Sequence, residues 1–214
     1  MSDWIIPLYK IYSDDEDVNL VTKIIKRGTY WAIGPEIEEF ENALKNYLGV
    51  DYCVAMNSGT SALHATLLSY NVKTNDEVIV PSFSFISTAN SVLYNNASPV
   101  FLDVDDSHNL DKEKFFKFIK NETFIRNKLT FNKKTKKQIK AIIITHMWGN
   151  SFFDIELYNL CKKRNIKIIE DAAEALGSKY IINKKKIEHV GNRSDLACFS
   201  FNGNKIITTG LGGA

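Results

Sequence analysis

One lysine near the end of the chain lies in an unusual setting. The run Cys198 to Ala214 reads CFSFNGNKIITTGLGGA, and Lys205 closes its polar turn Asn202 to Lys205. The flanking runs Leu196 to Phe199 and Ile206 to Thr208 favour strands. Desolvation lowers the pKa of a buried lysine and can free its amine to attack a carbonyl. The stretch alone is equally compatible with an exposed turn lysine.

Further polar and aromatic residues follow the strands that the sequence predicts. In an open parallel sheet, ligands bind outside the carboxyl ends of the strands. The predicted strands are Tyr52 to Met56, Glu77 to Val80, Pro99 to Leu102, Ala141 to Thr145 and Ile166 to Glu170. The residues that follow strand ends are Asn57 to Ser61, Pro81 to Phe85, Asp103, His146 to Gly149, Asp171 with Glu174, and Ser200 with Lys205. We therefore expect these groups to gather at one edge of the sheet.

Each candidate also has an ordinary structural interpretation. The Ser58 to Ser61 run at a helix start could bind a phosphate or only cap the helix. Asp171 could be a buried functional acid or a helix cap, and Phe85 could stack on a flat ring or belong to the core. His146 could be a ligand, a base or a core histidine whose ring nitrogens are hydrogen-bonded.

Composition excludes several classes of function. The formal net charge of +2 is too small to indicate a nucleic-acid partner. The three cysteines are far apart, so neither a disulfide framework nor a metal site is predicted. The chain has no GxGxxG motif after a strand and no P-loop motif. We find no signal peptide and no apolar run long enough for a membrane span, so we expect a cytoplasmic protein.

Helices alternate with these strands. Ser13 and Glu16 form a capping-box pattern before an amphipathic run that Gly28 ends, and a second helix runs from Glu36 to Gly49. Later helices are expected at 60–70, 85–94, 111–120 and 154–164. We interpret the lysine-rich stretch Asn121 to Lys140 as a surface loop, with a phosphate patch as the alternative, and Lys184 to Lys186 as a turn between short strands. The fold class is therefore α/β, with a mostly parallel sheet flanked by helices.

The candidates together fit one cofactor. Pyridoxal 5′-phosphate needs a reactive lysine, an acid for its pyridine nitrogen, a stacking aromatic ring and a phosphate site. The reactive lysine would be Lys205 and the acid Asp171. Phe85 would be the stacking ring, and the run Ser58 to Ser61 the phosphate site. No other cofactor is as well matched by this set.

The sequence resembles the DegT/DnrJ/EryC1/StrS family of pyridoxal-phosphate-dependent nucleotide-sugar aminotransferases. The combination of EDAAEA with SFNGNKIITTG is the most specific part of the resemblance. The matching stretches follow one another in the same order as in the family, from Ile6 to the last residue. The matching stretches are IPLYKIY from Ile6, YWAIGPEIEEFE from Tyr30, NSGTSALHA from Asn57, VIVPSFSFISTAN from Val78, IIEDAAEALGS from Ile168 and FSFNGNKIITTG from Phe199.

The resemblance implies a role for each site residue. Lys205 would be the catalytic lysine that bonds to the cofactor, Asp171 would pair with the pyridine nitrogen, and Phe85 would stack on the ring. Glu174 would contact the ring hydroxyl, where glutamine or histidine is usual, so we expect a shared proton or a nearby cation. The phosphate would be bound by Gly59, Thr60, Ser61 and Ser200.

The resemblance also implies a reaction and partners. L-Glutamate would donate an amino group to a nucleotide-linked keto-sugar, with the 4-keto position favoured, for amino-sugar and polysaccharide biosynthesis. The fold would be the large domain of a fold type I pyridoxal-phosphate enzyme, and the protein would be a homodimer. Residues 1–214 would hold the N-terminal segment and this large domain, and the small C-terminal domain of the family is expected to be missing from a truncated chain. A sugar dehydratase of the same fold and a catalytically incomplete binding or regulatory subunit are the alternatives.

Overall fold

Residues 9–183 and 186–214 are described by the computed structural model, which builds a seven-stranded sheet and a separate two-stranded hairpin from them. The helices are α1 (Asp15–Arg27), α2 (Pro35–Leu48), α3 (Gly59–Ser69), α4 (Ile86–Tyr94), α5 (Lys112–Asn121) and α6 (Ile155–Lys163). The strands are β1 (Asp76–Pro81), β2 (Ser98–Leu102), β3 (Thr123–Arg126), β4 (Leu129–Asn132), β5 (Gln138–Thr145), β6 (Lys167–Asp171), β7 (Lys179–Asn183), β8 (Lys186–His189) and β9 (Leu196–Cys198).

Five parallel strands form the body of the sheet in the order β2-β1-β5-β6-β9. Val78 to Val80 of β1 and Ala141 to Ile144 of β5 are fully buried. Their continuous apolar runs are typical of strands that are covered on both faces. One cluster of buried side chains includes Leu63, Leu67 and Val92 from α3 and α4, and another includes Phe115 and Leu157 from α5 and α6. The predicted α/β fold class is confirmed.

The first two helices begin and end near the predicted residues, with one correction. The capping box of α1 uses Asp14 and Asp17 rather than Ser13 and Glu16, because the Asp14 side chain accepts the amide protons of the first turn. Gly28 and Gly49 end α1 and α2 with φ of 73° and 70°, the left-handed conformation that glycine adopts at low cost.

Two predicted strands are wrong. Tyr52 to Met56 forms only an isolated bridge between Met56 and Gly213, and Ile206 to Thr208 forms no strand. Ile206 and Ile207 are exposed, so their β-branched side chains are not packed against a sheet. The residue that pairs with the end of β9 is instead Ala214, which exchanges two backbone hydrogen bonds with Phe199.

The prediction of a loop over Asn121 to Lys140 is also wrong. β3 and β4 form an antiparallel hairpin there, and β4 joins the sheet at the start of β5. Phe124 and Phe131 stack across the two strands with their centroids 5.6 Å apart. This aromatic pair stabilises the hairpin, although the many lysines of the stretch hide the alternation that predicts strands. Lys133 and Lys140 donate to backbone carbonyls of Asn121 and Asn71. These cations lie at the amino end of the sheet, away from the predicted site.

The hairpin β7–β8 confirms the two short strands expected around Lys184 to Lys186. The turn between them, like residues Ile6 to Leu8 of the first matching stretch, lies outside the described residues. Within the described part of the chain, every helix is too short or too polar to cross a bilayer.

Candidate active site

A cavity of about 580 Å³ opens at the carboxyl edge of the parallel strands. Of the predicted site residues, Gly59, Thr60, Phe85, Asp171, Glu174, Ser200 and Lys205 all line it. Ser61 does not, because its amide donates to the Ser58 hydroxyl and its own hydroxyl also bonds Ser58. The fold therefore brings together seven of the eight residues assigned to the cofactor, whereas other residues that follow strands, such as Phe83, Asp103 and Trp148, do not line this cavity.

Lys205 is not an exposed turn residue. Its side chain is only 12% exposed, and Nζ lies 3.0 Å from Glu174 Oε1. The backbone amide of Lys205 donates to Asn202 O, so the polar turn predicted from the sequence fixes where this side chain begins. Nζ also lies 6.0 Å from the centroid of the Phe85 ring. The amine therefore stands inside the cavity, paired with one carboxylate.

Both oxygens of Glu174 have partners. Oε1 accepts from Lys205 and Oε2 accepts from the backbone amide of Trp148 at 3.1 Å. The cation expected beside Glu174 is thus Lys205 itself in this structure. The backbone of Trp148 itself is in the left-handed conformation, with φ of 53°.

The first turn of α3 combines the two interpretations of the Ser58 to Ser61 run. The Ser58 hydroxyl caps the helix by accepting the Ser61 amide, while Gly59 and Thr60 line the cavity. Amides at a helix start carry partial positive charge and suit an anion. A Cβ on Gly59 would lie 2.9 Å from the Cβ of Ser200, so only glycine allows this close approach of helix and strand end.

Asp171 ends β6 and is buried, with its carboxylate beside the cavity. Oδ2 accepts from the Thr88 hydroxyl at 2.7 Å and Oδ1 accepts from the Ala173 amide at 3.3 Å. Burial raises the pKa of Asp171, although these hydrogen bonds and the charge of Lys205 oppose that effect. A buried acid with so few donors favours a cationic or N–H partner in the cavity.

The neighbouring Glu170 points away from the cavity into a fully satisfied network. Its carboxylate accepts hydrogen bonds from the Tyr180 hydroxyl, His146 Nε2 and three backbone amides of Gly191, Arg193 and Ser194. Burial alone would raise the pKa of Glu170, but these donors lower it from 4.5 to about 2. His146 Nδ1 accepts the Phe152 amide, so both ring nitrogens of this buried histidine are hydrogen-bonded, as the core interpretation expects; the residue also lines the cavity.

We expect Glu170→Ala to destabilise the fold by about 3–5 kcal/mol, because it leaves several buried donors without an acceptor. Urea unfolding of the variant would measure this. The exposed Glu39→Ala is the control and should change stability by less than about 0.5 kcal/mol. Since the folded pKa of Glu170 is depressed, its contribution is present above pH 4.5 and is lost as pH falls towards 2. An equal loss in both variants would contradict the network's role.

Phe85 is exposed, so the core interpretation of this residue is wrong. Its ring stands at the cavity wall, immediately before α4. Sequence reasoning missed two other contributors, the Thr88 hydroxyl and the Trp148 amide, because one lies inside a helix and the other is a backbone group. The Gly210 and Gly212 backbone also lines the cavity, and its glycine-rich sequence was the only sign of such a close approach.

Comparison with known proteins agrees with this geometry. The model of the DegT/DnrJ/EryC1/StrS aminotransferase family matches residues 12–214. The chain belongs to this family. It is 34% identical over 208 residues to GDP-perosamine synthase of Escherichia coli O157:H7, covering 97% of this chain and 52% of that protein.

Further members show the same pattern of coverage. A UDP-4-amino-4,6-dideoxy-N-acetyl-beta-L-altrosamine transaminase of Campylobacter jejuni is 36% identical over 202 residues, which is 94% of this chain and 48% of that one. The crystal structure of a DegT DnrJ EryC1 StrS aminotransferase from Brucella abortus superposes with a TM-score of 0.81 at 31% identity, covering 93% of this chain and 50% of that one. The chain thus spans about half the length of the curated relatives it matches.

Family membership confirms the expected fold and class of enzyme. DegT-family aminotransferases use pyridoxal 5′-phosphate, so the cofactor expected from the sequence is confirmed at the level of the family. The cavity fits this group on its own terms: it offers an amine, a buried acid short of donors, an aromatic wall and a helix start that glycine keeps open.

Proposed function

We propose that the protein carrying this chain transfers the amino group of L-glutamate to a nucleotide-linked keto-sugar, with pyridoxal 5′-phosphate as cofactor. One observation carries the proposal: Lys205 and Asp171 line the same cavity as the helix start at Gly59 and Thr60. The names of the relatives, which describe GDP-linked and UDP-linked sugars, support a nucleotide-sugar substrate.

The cavity residues would hold the cofactor at three points. The amides of Gly59 and Thr60, with Ser200, would bind its phosphate at the start of α3. Asp171 would accept a proton shared with the ring nitrogen, held in place by Thr88. Phe85 would cover one face of the ring. When bound, the cofactor supplies an aldehyde and an electron-accepting ring.

Lys205 would have two tasks, which are to bond to the cofactor and then to move a proton. Its amine must lose a proton before it can act as a nucleophile, and Glu174 holds it as an ion pair at 3.0 Å. Glu174 is thus placed to take that proton, while its second oxygen stays fixed by the Trp148 amide. Once released from the cofactor, the amine would carry protons between the reacting carbons of substrate and cofactor.

Several finer points belong to the same proposal. We propose that the keto group is at the 4-position of the sugar and that the product serves amino-sugar and polysaccharide biosynthesis. The enzyme would work in the cytoplasm as a homodimer. Residues 1–214 would be the N-terminal segment and cofactor-binding domain, with the family's small C-terminal domain outside them. Since the chain covers about half of its relatives, these statements concern the whole protein.

Two alternatives predict different behaviour. Sugar dehydratases that resemble this chain have histidine at the lysine position, so Lys205 disfavours that reaction. A binding or regulatory subunit without catalysis would accept the nucleotide sugar but would not bond to the cofactor.

Isotope transfer would test the reaction directly. The natural polypeptide that carries this chain would be incubated with ¹⁵N-labelled L-glutamate, pyridoxal 5′-phosphate and a panel of 3-keto and 4-keto sugar nucleotides. We expect mass spectrometry to find ¹⁵N in an amino-sugar nucleotide and 2-oxoglutarate in equal amount. Loss of water from the sugar without nitrogen uptake would favour the dehydratase, and no conversion of any sugar would favour the binding subunit.

The helix start can be tested through its glycine. We expect Gly59→Ala to weaken binding of pyridoxal 5′-phosphate, because the new Cβ would push Ser200 and the α3 start apart. Overpacking of this kind costs about 1–3 kcal/mol, or roughly a 5- to 150-fold loss of affinity where it falls on the bound state. Gly203→Ala is the matched control in the same cavity, since its Cβ would meet only Gly210 O at 3.9 Å. Equal affinities of the two variants for pyridoxal 5′-phosphate would contradict the assignment of the α3 start to the phosphate site.

A further inference from the structure

Three aromatic side chains meet at the rim of the carboxyl edge and have no role in the cofactor site. Phe83 follows β1, His108 lies in the loop after β2, and Trp148 follows β5. Their ring centroids are 5.4 Å apart for Phe83 and His108, 5.8 Å for Phe83 and Trp148, and 5.0 Å for His108 and Trp148. We call these three residues the aromatic platform.

The platform is exposed although it is strongly apolar. Trp148 is 65% exposed and Phe83 is 42% exposed. Three strands thus send aromatic rings to one place where the described residues leave them uncovered. Core packing does not explain this, because Phe83, His108 and Trp148 belong to none of the buried clusters.

The backbone under the platform is held in a costly conformation. His108 and Trp148 both have positive φ, at 63° and 53°. Histidine is enriched in this conformation, but it is uncommon for a bulky residue such as tryptophan. Strained positions of this kind persist where the surroundings fix them, and they concentrate at ligand sites. The rings of these two residues lie against each other at an interplanar angle of 51°.

Hydrogen bonds of two asparagines, the buried Asn109 and the exposed Asn150, connect the loops that carry His108 and Trp148. Asn109 Oδ1 accepts the Met147 amide at 3.2 Å, and its Nδ2 donates to Asn150 O at 2.9 Å. Asn150 Nδ2 donates in return to Ser107 O at 3.1 Å. Three hydrogen bonds therefore join the His108 loop to the Trp148 loop.

The platform is connected to the cavity by two hydrogen bonds. The Trp148 amide bonds Glu174, and Glu174 bonds Lys205. In a nucleotide sugar the base is separated from the sugar by a ribose and two phosphates, so a sugar held at Lys205 places its base outside the cavity. An exposed aromatic surface at the same edge of the sheet suits the flat face of such a base.

We infer that the aromatic platform of Phe83, His108 and Trp148 is the stacking site for the nucleobase of the nucleotide-sugar substrate. This rests on the proposed function and adds where the substrate's base binds. Stacking accepts any base, because every base has a π-face. The names of two relatives contain different nucleotides, GDP and UDP, as expected for a family whose site binds the base by stacking rather than by base-specific hydrogen bonds.

Binding of nucleoside diphosphates to Trp148→Asn tests the inference. Asparagine tolerates positive φ and keeps the amide at position 148, but it removes the aromatic ring. The natural polypeptide, loaded with pyridoxal 5′-phosphate, would be titrated with UDP, GDP and, as a probe without a base, inorganic pyrophosphate. We expect the variant to raise the Kd for UDP or GDP about tenfold or more and to leave pyrophosphate binding unchanged.

Two further variants keep the test decisive. Phe83→Ala removes a second ring without touching the amide that bonds Glu174, and it should weaken the same nucleotide. Tyr94→Asn removes an exposed aromatic ring at the far end of α4 and should have no effect. The inference is overturned if neither UDP nor GDP binds, or if Trp148→Asn and Phe83→Ala both bind them as the wild type does.

Failure of the inference can be told apart from failure of the proposed function. Covalent attachment of the cofactor to Lys205 is measured in every variant without any nucleotide present. If the cofactor bonds to Lys205 but the platform substitutions leave nucleotide binding unchanged, only the inference is refuted. Absence of attachment in the wild type would refute the proposed function.

Discussion

Lys205→Ala should abolish amino transfer while the fold stays intact. The variant has no amine in the cavity, so neither the bond to the cofactor nor proton movement between the reacting carbons can occur. Loss of acid–base catalysis alone lowers rates by roughly 10²–10⁴, and loss of the covalent bond adds to it. Turnover with L-glutamate and the visible absorption band of bound cofactor measure the two losses.

Lys140→Ala is the matched control for this prediction. Lys140 is also a partly buried lysine, and its Nζ lies 3.4 Å from Asp76, but it belongs to the opposite end of the sheet. We expect this variant to keep both turnover and the absorption band. Turnover in Lys205→Ala near that of Lys140→Ala would contradict the assignment of Lys205.

Asp171→Asn should lower cofactor affinity and catalysis together. The buried carboxylate would no longer balance a protonated ring nitrogen, and truncating one partner of a buried charge pair costs about 2–5 kcal/mol. That corresponds to a roughly 30-fold to several-thousand-fold weaker Kd for pyridoxal 5′-phosphate, measured by titration. Unchanged kinetics and affinity would contradict the role of Asp171.

The same substitution should not destabilise the cofactor-free protein at neutral pH. The folded pKa of Asp171 is raised by burial, so its carboxyl binds more protons in the folded state than in the unfolded state. The free energy of unfolding therefore falls as pH rises from the ordinary value of 3.8 through the raised folded pKa. Asp171→Asn lacks this term, so its stability should fall less over that range, as urea unfolding at several pH values would show.

Glu170 and Asp171 are adjacent in the chain but differ in their surroundings. Alternation along β6 sends Glu170 towards five donors and Asp171 towards the cavity with two. The sequence predicted that an acid ends this strand and faces the site. It could not show that Glu170 is structural, because its donors come from residues 146, 180 and 191–194, which only the folded chain brings together.

Strand ends were the reliable part of the sequence prediction. Buried parallel strands have long apolar runs, so the positions of Asp171 and Ser200 at one edge followed from pattern alone. The pattern failed where apolar residues are exposed, as at Ile206 and Ile207, and where aromatic packing hides among lysines, as at Phe124 and Phe131. Sequence could not distinguish whether Ser61 caps the helix or binds an anion, because both sites share one pattern; in this structure its amide bonds the Ser58 hydroxyl.

Contributions from the backbone could not be predicted in the same way. The Trp148 amide bonds Glu174, and the type of residue 148 gives no sign of this backbone contact or of the positive φ found there. Thr88 bonds Asp171 from within α4, 83 residues away in the chain. Such contacts depend on how elements pack, which local propensity does not encode.

Peptide mapping after chemical reduction tests the central claim most directly. The natural polypeptide would be mixed with pyridoxal 5′-phosphate, reduced with borohydride to make the bond permanent, digested and analysed by mass spectrometry. We expect one phosphopyridoxyl label, on the peptide that contains Lys205, and none there in Lys205→Ala. A label on other lysines only, or none at all, would contradict the account.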